Sequence, residues 1–258
     1  MFRESTTSQY YANEDFYSRE RKSFRTADVR NLNNNVPSNL ILNALPTEIN
    51  QMLAPSLKNV TFSKEQFVYQ EDDRLEFIYF PTSAVISEFK MLEDGRMVEI
   101  AVTGKEGAIG LSEMFSESHL APNYTQVSQA GEAKKIDAVT FGKILRSNEM
   151  LRTGLNEFVS LYIRQISQKA ICNMYHSVKE RLCTWLLMVQ DRCGRNTLNL
   201  THEQIARTLG VYRPSITCIA QELREMKLIN YSRGGISIRS REQIKKSACT
   251  CYMEMQPA

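Results

Sequence analysis

From Leu200 onward, apolar positions fall at helical spacing twice in quick succession. Ile205, Ala206 and Leu209 mark one face, and Ile216, Ile219, Ala220 and Leu223 mark a second. Thr201 with Gln204 three residues later forms a capping-box pair at the start of the first helix. Gly210 stands where a tight interhelical turn needs positive φ, and Val211 closes that turn. The second helix starts near Tyr212-Arg213-Pro214, where a proline is tolerated because first-turn amides have no intrahelical partner. Its outward side keeps Arg213, Ser215, Thr217 and Gln221. Alternation then takes over. Leu228 to Tyr231 and Ile236 to Arg239 flank a turn at Arg233-Gly234-Gly235, the signal of a hairpin with a basic tip. Two short helices about a glycine turn, followed by such a hairpin, predict a winged helix-turn-helix. In that frame Arg213 is placed to read a guanine edge, and Ser215 and Thr217 to touch a phosphate or a base edge. Tyr212 and Arg233 are placed on phosphates, and Thr201 completes the expected DNA-contacting set. Protein-binding modules without DNA contact are built from similar pieces.

Upstream, Asn39 to Leu53 carries Leu40, Ile41, Leu45 and Ile49 on one side and predicts a short helix. Val60 to Ile136 reads as β. Phe67-Val68-Tyr69, Phe77 to Phe80, Ala84-Val85-Ile86, Met97 to Val102 and Thr125 to Ser128 are short apolar runs, and Asp94-Gly95 is a hairpin cue. Such spacing suggests a sandwich, roll or barrel. Val139 to Leu145 turns helical, and Glu149 to Ile171 is the longest helical pattern. There Leu155, Phe158, Tyr162, Ile166 and Ala170 recur three and four apart, and Val159 and Ile163 widen the stripe. We read Leu155, Phe158, Val159, Tyr162 and Ile166 as a dimerisation face, the alternative being an ordinary core helix. Asn173 to Ser177 reads as a hinge, and Val178 to Asp191 as the first helix of the C-terminal module.

Charge supports nucleic acid as the partner of that module. Between Tyr175 and Lys246 there are 13 lysines and arginines against 6 acidic residues, a net +7 in a chain whose total is +3, so the rest is net acidic. Residues 1–38 are polar and poor in aliphatics, which predicts a disordered tail. No apolar run approaches membrane-spanning length and the N-terminus has no apolar signal region, so a cytoplasmic protein without a membrane partner is expected. All six cysteines lie at or after Cys172. Cys249 and Cys251 supply two of the four ligands that a structural zinc needs. Cys193 and Cys218, taken as the nearest others, have no ligand-like spacing, so no metal site is read and no cofactor is expected. Cys218 falls within the second helix of the pair, where its oxidation would disturb DNA binding. Paired carboxylates, a nucleophile–histidine set, a P-loop and a dinucleotide fingerprint are all missing, so catalytic residues are none and an enzyme is not expected.

A β-rich module, a long helix and a winged helix-turn-helix, in that order, resemble the Crp–Fnr family of bacterial transcription regulators. Tyr212 to Thr217 and Leu228 to Ile238 look like its recognition helix and wing, and the likeness covers about residues 39–246. The resemblance implies an α+β fold. A β-roll sensor of the cyclic-nucleotide-binding, jelly-roll type would span 39–148, a dimerisation helix 149–174, and a winged helix-turn-helix 175–248, with a tail at 249–258. It implies a homodimer on a two-fold-symmetric DNA site, with RNA polymerase and a small-molecule effector as further partners. The family's nucleotide pocket uses a Gly-Glu pair and an Arg-Ser or Arg-Thr pair. Here the matching positions are Gly110-Leu111 and Tyr124-Thr125, and no arginine lies between Arg96 and Arg146. The pocket is therefore degenerate, and cyclic AMP is not expected to bind tightly. No cysteine precedes Cys172, which excludes an N-terminal iron–sulfur sensor, and His119 is the single candidate haem ligand in the roll. The recognition helix also departs from the family. Pro214 and Cys218 occupy the places of a glutamate and a second arginine, so the half-site is expected to differ from the common one. A rival reading is a ligand-independent DNA-binding regulator controlled by abundance, a protein partner or thiol oxidation.

Overall fold

The computed structural model describes residues 38–232 and 234–256. The expected tail, apart from Ser38, and the wing residue Arg233 lie outside them.

Two antiparallel sheets build the N-terminal half. One has the order β1 (Lys58–Phe62), β7 (Gly131–Asp137), β3 (Phe77–Pro81). The other has the order β2 (Phe67–Tyr69), β6 (Tyr124–Gln129), β4 (Val85–Met91), β5 (Met97–Thr103). Period-two alternation gives each sheet two faces. Phe62, Tyr69, Ile86, Val127 and Ala133 form one core between the sheets. Ile78, Phe80 and Ile136 point the other way, into a core shared with the helices. The Asp94-Gly95 cue is a hairpin between β4 and β5, with Gly95 at φ +82°.

The helix predicted over Asn39 to Leu53 is two helices, α1 (Leu40–Ala44) and α2 (Thr47–Leu53). Pro46 separates them. A residue before proline is pushed out of the α region, and Leu45 is accordingly extended at ψ 143°. The buried positions are Leu42, Leu45, Ile49 and Leu53, not Leu40 and Ile41. Asn39 caps α1 with its side-chain oxygen and donates through Nδ2 to the carbonyls of Pro81 (3.0 Å) and Gly107 (2.7 Å), which ties this segment to the roll.

After α3 (Ala138–Ser147), helix α4 runs from Glu149 to Tyr175. It ends at His176, and α5 (Val178–Cys193) starts at once behind a capping box made by Ser177 and Glu180. The break thus falls at the end of the expected hinge. From Leu182 to Gln190 every residue of α5 is buried, which is how a helix surrounded on all sides presents itself. Around it lie α6 (His202–Leu209), α7 (Arg213–Glu225), α8 (Arg241–Ser247) and a small sheet of order β8 (Thr197–Leu198), β10 (Gly235–Ile238), β9 (Ile229–Ser232). Val85 and Val102 of the roll join the same core. The segment after Ser247 is not a loose tail. Cys249, Cys251, Tyr252 and Met255 are buried, and Cys251–Glu254 form α9, because these apolar side chains complete the core beside α5.

Candidate nucleic-acid interface

The helix pair is held by backbone chemistry visible in its letters. Thr201 and Gln204 exchange both capping-box hydrogen bonds at the start of α6. Gly210 takes φ +63°, and its amide satisfies the carbonyls of Ala206 and Arg207. A side chain there would also meet Val98 of β5, the nearest atom 3.3 Å from the position of its Cβ. Tyr212 is the N-cap of α7, and Pro214 lies in the first turn. Ile216, Ala220 and Leu223 face Ile205, Ala206 and Leu209 in one core.

The opposite side of α7 is open. Arg213, Pro214, Ser215, Thr217, Cys218 and Gln221 are exposed, and Tyr212 is 80% exposed. Arg213 makes no ion pair among the described residues, so its guanidinium is available at the positive end of the helix dipole. The acidic residues sit in the last turns. There Glu222 binds Lys179 at 2.6 Å and Glu225 accepts from Gln221. The electrostatics therefore favour an anion at the N-terminal half of α7, the half that helix-turn-helix proteins insert into the major groove.

Two of the expected DNA-contacting residues have internal duties. The hydroxyl of Thr201 is spent on the capping box. That of Thr217 lies 3.2 Å from the Arg213 carbonyl and 3.1 Å from Nδ1 of His202. His202, which sequence reasoning did not single out, stacks on Tyr231 with ring centroids 4.2 Å apart and so links the helix pair to the wing. Burial, and then the nearby Arg213 cation, hold its imidazole below the usual range.

The module is fastened to the roll by polar contacts. Arg192 of α5 donates to the Val102 carbonyl (3.2 Å) and pairs with Glu106 (2.7 Å). Arg207 of α6 reaches Gln126 (2.9 Å) and lies over the Phe89 ring.

Of the four expected pocket positions, Gly110 and Thr125 line a cavity in the roll, together with Tyr69, Leu75, Glu88 and Glu113. Leu111 turns instead into the core beneath the helices, and Tyr124 does not line the cavity. Its volume is about 10 Å³, room for one water at most. No lysine or arginine lines it. Burial, then Glu113, push the Glu88 carboxyl up to about 7, and burial raises Glu113 as well. Glu88 accepts from the Tyr162 hydroxyl at 2.8 Å and from Asn123 at 3.3 Å.

That contact bears on the long helix. Leu155 is 1% exposed and so belongs to the chain's own core, not to the expected dimerisation face, whereas Phe158, packed against that core, and Tyr162, bonded to Glu88, are half-buried. Val159 and Ile166 are half-buried and border a different stripe, where Ile163 (58% exposed), Ala170 and Met174 continue the three-and-four spacing into solvent. The sequence stripe was too broad because it merged two adjacent faces of one helix.

The C-terminal cysteines also find different neighbours from those expected. Cys249 and Cys251 meet Cys172 and His176 at the end of α4, not Cys193 and Cys218. The Cys172-x3-His176 spacing, one helical turn, was the available signal.

Residues 180–247 match the Crp-like helix-turn-helix domain family. The Anaerobic regulatory protein of Bacillus subtilis (strain 168) is 22% identical over 179 residues, 67% of this chain and 75% of that protein. A solved transcriptional regulator of the crp/fnr family from Eubacterium rectale superposes with a TM-score of 0.63 at 20% identity, covering 80% of this chain and 96% of its own. FixK2 from Bradyrhizobium japonicum superposes with a TM-score of 0.63 at 15% identity, covering 75% and 98%. No helix among the described residues is long and apolar enough to cross a membrane.

Proposed function

We propose that the chain is a cytoplasmic, homodimeric transcription regulator of the Crp–Fnr family that reads a two-fold-symmetric DNA site without cyclic AMP. The observation that carries the reading is the open N-terminal half of α7, where Arg213 and Ser215 are exposed beside Tyr212. Arg213 reads a guanine edge, and Tyr212, Ser215 and the wing with Arg233 hold phosphates. Dimerisation uses Val159, Ile163, Ile166, Ala170 and Met174. An exposed apolar seam on a 27-residue helix supports it, because burying that seam against its own copy removes it from water.

Rejection of cyclic AMP is supported by charge. The roll cavity is lined by no lysine or arginine, so a cyclic phosphate entering it would find no cation to pair with. RNA polymerase is the expected partner on DNA, and an effector of the roll is expected to be uncharged or cationic. A second reading, a regulator governed by abundance, a protein partner or thiol oxidation, is favoured by the near absence of space in the cavity.

The test is selection of random duplexes by the purified, reduced, ligand-free protein. A symmetric motif with half-sites about one helical turn apart is expected. Enrichment of no motif, with or without candidate effectors, would overturn specific DNA reading.

A further inference from the structure

The last turn of α4 and the segment after α8 are about 75 residues apart in sequence, yet they bring four soft donor groups to one point. Cys172 and His176, four apart, share one side of the helix end. Cys249 and Cys251 come from the C-terminal segment. The three sulfurs and one imidazole nitrogen all lie within 4.8 Å of one another. Cys172 Sγ is 3.5 Å from Cys249 Sγ, and Cys251 Sγ is 3.4 Å from His176 Nδ1. The three cysteines are buried free thiols, and His176 is half-buried at the rim.

We propose that Cys172, His176, Cys249 and Cys251 form a closed tetrahedral site for one zinc ion. Zinc–sulfur bonds of about 2.3 Å and zinc–nitrogen bonds of about 2.0–2.1 Å set tetrahedral edges of roughly 3.8 Å between sulfurs and roughly 3.6 Å between sulfur and nitrogen. The Cys172–Cys249 and Cys251–His176 separations differ from these by a few tenths of an ångström and no donor pair exceeds 4.8 Å, so side-chain shifts of roughly 1 Å or less close the tetrahedron around the ion. The donor set also selects the metal. Thiolates and imidazole suit zinc, whereas calcium and magnesium require oxygen ligands, of which the set has none. A polynuclear iron–sulfur cluster spreads its thiolates over separate irons, wider than this cluster allows. Four protein ligands leave no open position, so the ion is structural, not catalytic.

The surroundings fit a bound thiolate. Thr184 Oγ1 accepts from the Cys249 amide (3.1 Å), which leaves its own hydrogen free to donate to Cys249 Sγ at 3.0 Å. Gln168 Nε2 donates to Cys251 Sγ at 3.0 Å. Such donors offset the net negative charge of three thiolates and one zinc, and they orient the ligands. Binding displaces the three thiol protons to solvent, with no oxidant or reductant consumed. Its place gives it a consequence. His176 is the C-cap of α4 at the break before α5, so the ion clasps the junction between the long helix and the DNA module to the chain's own C-terminal segment.

The test uses the full chain, reduced and freed of metal, then titrated with Zn²⁺ or Co²⁺. About one equivalent of zinc per chain is expected by elemental analysis. Cobalt is expected to give the intense visible bands of a tetrahedral ion and a near-ultraviolet thiolate charge-transfer band. Cys249→Ser with Cys251→Ser should lose stoichiometric metal, and Cys218→Ser should keep it. The cobalt spectrum of the unaltered chain stands whether or not the double variant folds. Failure of the reduced wild-type chain to take up zinc or cobalt would overturn the site. So would iron with acid-labile sulfide, or recovery of a Cys172–Cys249 disulfide that persists when zinc is supplied under reducing conditions.

Discussion

The carboxylate of Glu99, on β5 of the roll, accepts a hydrogen bond from the indole Nε1 of Trp185, on α5 of the DNA module, at 3.0 Å. The same carboxylate pairs with Lys169 of α4 and accepts from Ser87 at 2.6 Å. Glu99 has no exposed surface, so three units of the chain meet at one buried charge. Such a node costs desolvation and repays it only when every partner is present, which makes the packing of the module on the roll strongly dependent on geometry.

Removing one partner should be worse than removing the pair. Lys169→Met is expected to cost about 3–5 kcal/mol in urea unfolding, because it strands a buried carboxylate. Adding Glu99→Gln to that variant should recover much of the loss. Equal or additive losses would show that the two residues do not act as an ion pair.

Glu88 makes stability depend on pH. Its carboxyl is raised from 4.5 to about 7, so between those values the folded chain binds a proton that the unfolded chain has released. Stability is therefore greatest from this group at low pH and falls as pH rises through about 7. The contribution is on the order of 3 kcal/mol. Glu88→Gln keeps an acceptor for Tyr162 and should flatten the thermal-unfolding profile between pH 5 and 8. An unchanged slope would mean that Glu88 stays ionised throughout.

The two faces of α4 predict opposite phenotypes. Leu155→Ala should cost about 2–5 kcal/mol by leaving a cavity, with association little changed in whatever remains folded. Ile163→Glu should change stability of the single chain little and shift the protein to monomer in sedimentation or light scattering. A dimer that survives Ile163→Glu together with Ile166→Glu would place the association surface elsewhere.

Arg213→Ala should weaken binding to the selected site by about 1–3 kcal/mol and relax one position of the motif. An equal loss on every sequence, with a shallower salt dependence, would reassign Arg213 to a phosphate.

Binding of cyclic AMP would be visible in the melting temperature, since a ligand at about 100 times its Kd adds about 2.7 kcal/mol to stability. None is expected at micromolar nucleotide. A clear rise in melting temperature at micromolar nucleotide would show that the roll accepts it after all.

Local signals were legible in the chain. The Thr201–Gln204 box, Gly210, Pro214 and the apolar face of Ile216, Ala220 and Leu223 specify the helix pair almost alone, because caps, positive φ and periodicity act over a few neighbouring residues. Pro46 was equally local, and its break in the first helix could have been read from the preceding leucine. The missing arginine of the roll pocket was also visible in the sequence, since an absent residue type needs no coordinates to be noticed.

Sequence by itself therefore determined the order of the elements, the Crp–Fnr likeness and the outward-facing residues of α7. Tertiary structure alone decided which side of the long helix faces inward, that Glu88 and Glu113 line one small cavity, and that Glu99 joins Lys169 and Trp185. It also decided that Cys172 and His176 meet Cys249 and Cys251. The reason is physical. Periodicity reports that a residue is apolar on a given face, but a buried charge or a ligand cluster is defined by partners 70 to 90 positions away, which only chain closure brings within bonding distance.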